Sequence, residues 1–152
     1  GVQRALFDLG GNIYAFGTKE DGTPWRVGVK NPQSPAAEPA LAVAVKDSSI
    51  VTSGMYERFF EQDDIRYHHI LNPTTGFPVW NDVQSVTIVS KSSMLADALS
   101  TSVFILGQEK GLQLLEAEDA EGVIIATDNK VYPTSGITSQ LTVVSPFYQL
   151  AE

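Results

Sequence analysis

Asp97 and Thr101 stand four residues apart and have the types to hold a divalent cation. On a helix they share a face, at ~100° per residue. A carboxylate beside a hydroxyl is the hard-oxygen pair that Mg²⁺ takes, completing its shell with waters and substrate phosphates. Met94, Ala98 and Ile105 flank that face and set the carboxylate among apolar side chains, where it is costly unless paired or metal-bound. The plainer reading is a solvated Asp with a Thr bonded back to its own helix, a common spacing. His68 and His69 are the chain's two histidines. Neighbours in an extended segment face opposite sides, so the pair cannot chelate one ion. One ring can instead enter a cleft as a general base, or both can be structural. Gly10-Gly11-Asn12 and Thr52-Ser53-Gly54 each follow a strand-like run and can offer backbone N–H groups and hydroxyls to phosphate. Neither has P-loop or G-x-G-x-x-G spacing, so each is equally an ordinary turn, and Asp8 can serve a hydrogen bond within the first.

The elements that must carry these residues follow from periodicity. Leu95, Leu99, Val103 and Leu106 form one helical stripe over Met94–Leu106, entered at the N-cap Ser92-Ser93 and ended by Gly107. Asp97 and Thr101 lie opposite that stripe. A second helix runs over 109–118. Strands are expected over 4–9, 12–16, 25–29, 41–45, 49–53 and 84–90, and a final hairpin over 122–133 turns at Asp128-Asn129. Asp21-Gly22 reads as the turn of a hairpin joining 12–16 to 25–29. Asp63-Asp64 is an acidic turn, Asn72-Pro73 and Thr75-Gly76 close a tight loop after His69, and the proline-bearing segment 31–39 reads as a surface loop. Strands followed by a late helix pair give an α+β fold with a mixed or antiparallel sheet.

Composition narrows the function. The chain has 152 residues, 43% hydrophobic and 18% charged, with a net charge of −8, so it can build a core as one domain and is not a disordered acidic chain. The basic residues are scattered, which argues against nucleic acid as a partner. With no cysteine, disulfides, thiolate metal sites and Cys nucleophiles are excluded. No apolar run reaches the ~18–20 residues that span a bilayer. The start at Gly1-Val2-Gln3-Arg4 resembles the middle of a longer gene product.

Four separated segments then stand in order: Phe7-Asp8-Leu9-Gly10-Gly11-Asn12-Ile13, Thr52-Ser53-Gly54-Met55-Tyr56-Glu57-Arg58, His69-Ile70-Leu71-Asn72-Pro73-Thr74-Thr75-Gly76 and Ala96-Asp97-Ala98-Leu99-Ser100-Thr101. Together they resemble the signature series of ApbE-type flavin transferases, over residues 1–137, and match the C-terminal half of that family. Residues 138–152 remain as a tail with a β-like patch at 141–144.

The resemblance implies a T-fold-like α+β domain and an enzyme that binds FAD with Mg²⁺, splits its pyrophosphate, passes FMN to a Ser or Thr hydroxyl of a target flavoprotein and releases AMP. It makes Asp97 and Thr101 metal ligands and His69 the base for the acceptor hydroxyl. It places Gly10, Gly11, Asn12, Thr52, Ser53, Gly54, Tyr56, His69, Thr75 and Gly76 about the flavin nucleotide. It also implies a partner in the family's N-terminal half, in cis or as a second chain, which contributes a further metal ligand and part of the FAD pocket. Family members are often periplasmic, membrane-anchored lipoproteins, and some mainly hydrolyse FAD. Asn72 departs from the family's usual Asp, removing a charge close to the site. The alternatives are an FAD-binding or FAD-hydrolysing trafficking module without transferase activity, and an incomplete half that docks a complementary chain.

Overall fold

The computed structural model describes residues 1–34 and 38–151. Its centre is a seven-stranded sheet whose order is set by long-range pairing rather than by sequence neighbours. In spatial order it contains β1 (Ala5–Asp8), β2 (Asn12–Phe16), β5 (Ser48–Gly54), β8 (Val83–Ser90), β9 (Glu121–Ala126), β10 (Lys130–Pro133) and β12 (Gln149–Leu150). All pairs are antiparallel except β10 with β12. A second sheet orders β11 (Leu141–Val143), β4 (Leu41–Val45) and β3 (Trp25–Val29), and β6 (Phe59–Gln62) with β7 (Ile65–His68) forms a separate two-stranded ribbon. The helices α1 (Ser93–Leu106) and α2 (Gln108–Ala117) complete an α+β architecture.

The large sheet is a middle layer, and its strands show why. In β9 the run Val123-Ile124-Ile125 is apolar on both faces, as a strand covered on both sides requires. Val123 and Ile125 join Ala15, Ile50 and Val131 against Val27, Val29, Leu41, Val43 and Val45 of the small sheet. Ile124 joins Val51, Val86 and Ile88 against Leu99, Val103, Phe104 and Leu115 of the helices. A register shift between Val83 and Ser85 inserts one residue, which keeps Val83 on the helix side with Val86. Gly111 lets the helices close on each other, since a Cβ there would lie 2.7 Å from Val103 Cγ1.

Three expectations are corrected. The turn at Asp21-Gly22 exists, with Gly22 N–H donating to the Lys19 carbonyl, but the strands it joins belong to different sheets: β2 pairs with β1 and β5, β3 with β4. Burial explains the split, because Val27 and Val29 must face Val123 and Ile125 across the sheet interface. The segment 31–39 is not wholly a surface loop: Asn31 and Pro32 are buried, and Asn31 Oδ1 accepts from the Tyr148 hydroxyl at 2.8 Å. Its middle, 35–37, lies outside the described residues. In α1 the buried set is Ala96, Leu99, Ser100, Val103 and Phe104, whereas Leu95 and Leu106 are 41% and 45% exposed. The small Ala96 and Ser100 let the helix approach β5, so the contact face is turned by about one residue from the stripe of large side chains.

Beyond Ile137, a 3-10 turn (Thr138–Gln140) leads to β11, which pairs with β4, and β12 closes the edge of the large sheet. The expected patch at 141–144 is thus a strand over Leu141–Val143.

Candidate active site

A cavity of about 510 Å³ opens where the ends of the layers meet. Asp8, Gly10 and Gly11 line it from the β1–β2 turn, Thr52, Ser53 and Gly54 from the end of β5, Val27 to Lys30 from the small sheet, Asp97 and Thr101 from α1, and His69 from the end of β7. Five stretches, from Asp8 to Thr101, thus converge on one cleft.

Each side chain has a local cause for its place. Gly10 and Gly11 have φ of 74° and 96°, a region that a side chain disfavours, and the turn is pinned by Gly11 N–H donating to Asp8 Oδ1 at 3.0 Å. Asp8 therefore serves a turn hydrogen bond, and one backbone donor that could have met a phosphate is already used. Helix α1 starts at Ser92, whose hydroxyl accepts from Leu95 N–H at 3.3 Å. Ser93 Oγ donates to Asn12 Oδ1 at 2.6 Å, tying the helix start to β2. Asn12 thereby holds the helix without lining the cleft.

Asp97 and Thr101 are exposed at the cleft wall rather than set among apolar side chains, which corrects the expectation of a buried acid. Met94 and Ala98, which flank the carboxylate, are themselves exposed and do not enclose it, while the turn of α1 towards β5 brings Asp97 and Thr101 from the far side of the helix to the edge of its contact face. Beside them runs a chain of hydroxyls. Ser100 Oγ donates to the Asp97 carbonyl at 3.0 Å, Ser53 Oγ lies 2.9 Å from Ser100 Oγ, and Thr101 Oγ1 lies 3.3 Å from Ser53 Oγ. With the Ser100 proton committed to a carbonyl, Ser53 donates to Ser100 and Thr101 to Ser53. The lone pairs of Thr101 are left uncommitted on the exposed wall that Asp97 also lines. Thr52 Oγ1 is paired with Thr87 Oγ1 at 2.8 Å and looks away from this chain.

His69 is held by one main-chain oxygen: its backbone N–H lies 3.1 Å and its Nδ1 3.2 Å from the Arg58 carbonyl. A carbonyl only accepts, so Nδ1 carries the proton and Nε2 is left with a free lone pair. The loop that follows is shaped by Asn72, whose Oδ1 accepts from Thr74 N–H at 2.9 Å and Thr75 N–H at 3.3 Å. An amide oxygen does this work without the charge that an Asp would bring. Thr75 and Gly76 lie in that exposed loop and do not line the cleft. Tyr56 does line it: the phenol is 6% exposed, packs over Gly54 and is pushed above its ordinary range by burial and then by Glu57.

The structure adds residues that motif reading did not single out. Lys30 pairs with Glu57 at 3.0 Å on the cleft wall, Arg58 lines it, and Ser100 anchors the hydroxyl chain. Lys30 and Ser100 reach their partners across 27 and 47 residues, so only topology could have found them. The lining holds the carboxylates of Asp8, Glu57 and Asp97 against the cations of Lys30 and Arg58. Its oxygens are those of a hard-cation site, and a carboxylate plus a hydroxyl supply part of an octahedral shell whose remainder falls to water and ligand. The donor set therefore fits Mg²⁺. No group of three or more His, Cys, Asp or Glu side chains is placed to hold a metal among the described residues, so protein alone does not complete such a shell.

The FAD:protein FMN transferase of Treponema pallidum (strain Nichols) is 44% identical over 158 residues, taking in 98% of this chain and 44% of the relative. The FAD:protein FMN transferase of Vibrio cholerae serotype O1 is 38% identical over 138 residues, 89% of this chain and 41% of the relative. Among solved structures, the ApbE protein of Thermotoga maritima superposes with a TM-score of 0.81 at 32% identity, over 90% of this chain and 44% of that one. The flavin transferase ApbE from Vibrio cholerae does so with a TM-score of 0.75 at 35% identity, over 91% and 44%. The chain thus spans under half the length of the relatives it matches. The sequence profile of the ApbE family matches residues 1–125, and with these identities the chain belongs to the ApbE family.

Proposed function

We propose that this chain supplies the phosphoryl-transfer half of an FAD:protein FMN transferase centre. The observation that carries the reading is the convergence of Asp97, Thr101, Ser53, the Gly10-Gly11 turn and His69 on one cleft. Phosphoryl transfer asks a protein for positioning, charge neutralisation and an oriented nucleophile. Asp97 and Thr101 would hold Mg²⁺, which when bound neutralises pyrophosphate oxygens and improves the leaving group. The Gly10-Gly11 and Thr52-Ser53-Gly54 segments would bind the nucleotide, with Tyr56 as a protonated wall. His69 Nε2 would take the proton of an acceptor Ser or Thr hydroxyl as its oxygen bonds to the FMN phosphorus, while the phosphoanhydride bond to AMP breaks.

Acidic Asp8 and Glu57 in the lining accord with a site that receives its diphosphate together with a cation. An N-terminal half, in cis or as a second chain, would complete the pocket, and the acceptor would be a flavoprotein. Periplasmic, membrane-anchored placement is proposed from the family resemblance; no helix among the described residues is long and apolar enough to cross a membrane.

The experiment combines the chain with its N-terminal half, FAD, Mg²⁺ and a Thr-bearing target peptide, and follows peptide mass and AMP. A peptide gaining FMN with equimolar AMP supports the reading. AMP and FMN without labelled peptide would instead assign a flavin-hydrolysing module, the second reading. FAD binding with neither product overturns both in favour of a carrier.

A further inference from the structure

The neighbour of His69 is the histidine that the mechanism does not use. His68 is 3% exposed, ends β7 and meets the ring of Phe104 edge-on at 5.7 Å. Both of its ring nitrogens are engaged. Nε2 lies 2.9 Å from the Val79 carbonyl, and Nδ1 accepts from Ile70 N–H at 3.3 Å. That fixes a neutral ring with the proton on Nε2, the tautomer opposite to that of His69.

Ile70 and Val79 are the two stems of the loop that follows His69. Val79 N–H donates to the Ile70 carbonyl at 3.0 Å, Leu71 bridges Pro78, and Asn72 N–H donates to the Phe77 carbonyl at 2.8 Å. The imidazole of His68 thus bonds to one stem through each nitrogen, behind the turn that Asn72 closes. His69 sits between this clamp and its bond to the Arg58 carbonyl, so its backbone is fixed on both sides. Resting on the assignment of His69 as base, we propose that His68 is the positioning residue for His69: by joining Ile70 N–H to the Val79 carbonyl it holds the loop closed and sets the direction in which His69 presents Nε2 to the cleft. An apolar side chain at 68 would leave a buried N–H and a buried C=O without partners, and the stems would part to hydrate them.

The test uses the full chain under the transfer assay above. His68→Leu should lower kcat by ~10-fold or more, because a small misplacement of a catalytic group is costly, while FAD affinity stays within ~2-fold. His68→Gln offers an amide N–H for Val79 and a carbonyl for Ile70 and should restore most of that loss; His68→Asn, too short to reach both stems, should not. Amide hydrogen exchange supplies a readout independent of catalysis, with Ile70 protected in the wild type and in His68→Gln and fast in His68→Leu. A folded His68→Leu protein with full kcat and a protected Ile70 amide overturns the inference. So does a Gln variant no better than Asn, a comparison that decides the matter even where His68→Leu fails to fold. His69→Ala separates this from the functional reading: retained transfer in that variant removes His69 as base, whereas the Ile70 exchange result still decides whether His68 clamps the loop.

Discussion

His69 and Arg58 are joined through a backbone oxygen that accepts twice from one residue, from the amide at 3.1 Å and from Nδ1 at 3.2 Å. The contact does two things together. It restrains the ring against turning about its own side-chain bonds, and in the neutral ring it puts the proton on Nδ1, so that Nε2 is the nitrogen left to act as a base on a hydroxyl.

Replacing His69 by Ala should therefore lower FMN transfer by ~10²–10⁴-fold, the usual contribution of a positioned base. FAD binding, carried by other cleft residues, should change little. Labelled-peptide mass and a flavin fluorescence titration check the two halves, and near wild-type labelling would remove His69 from the reaction.

Asp97→Asn keeps the size of the side chain and its oxygen but removes the charge from the cation site. The Mg²⁺ concentration for half-maximal activity should rise by at least ~10-fold, or about 1.4 kcal/mol of binding. A magnesium titration of initial rates measures this, and an unchanged midpoint would show that Asp97 does not bind the ion.

Burial pushes the His68 imidazole below the ordinary histidine range; its bond to Val79 opposes this, and His69 and Arg66 reinforce it. An unfolded chain protonates this group near pH ~6.5. The folded form resists that proton, so the linked stability is complete above pH ~6.5 and is lost as pH falls toward and through the depressed folded value. Melting temperature should fall with acidification over that window, and less steeply in His68→Gln. Parallel curves for the two proteins would show that another group carries the dependence.

Gly111→Ala places a methyl 2.7 Å from Val103 Cγ1 at the contact of α1 with α2. Overpacking of this kind costs ~1–3 kcal/mol, against a helix-propensity gain of up to ~1 kcal/mol, so net destabilisation is expected. Urea unfolding reads the change, and a rise in midpoint would mean that the helices slide apart without loss.

Local pattern carried the elements and lost their partners. Helix α1 and its capping Ser92 were legible because capping and amphipathicity are written within a few residues. So was the hairpin of β9 and β10, whose Asn129 adopts the positive φ of 64° that its turn requires. The turn at Asp21-Gly22 was legible as a turn, yet the side chains on either side belong to two layers, and nothing near residue 22 encodes the strands that each will meet. The stripe of α1 was misplaced because Ala96 and Ser100 contact β5 by being small, whereas periodicity weighs only the large. In the site, motif types identified Asp97, Thr101 and His69, which line the cleft. The role of Asn12 in holding the helix, and the entry of Lys30 beside Glu57, depend on contacts across 81 and 27 residues.

Ile50 and Val51 are adjacent in β5, yet each is buried in a different interior, one under the small sheet and one under the helices. The cleft draws its walls from the rims of both interiors, with Val27 and Val29 on one side and Asp97 and Thr101 on the other. A ligand seated there would brace both faces of the shared sheet at one rim, so occupancy should raise the melting of the two interiors together.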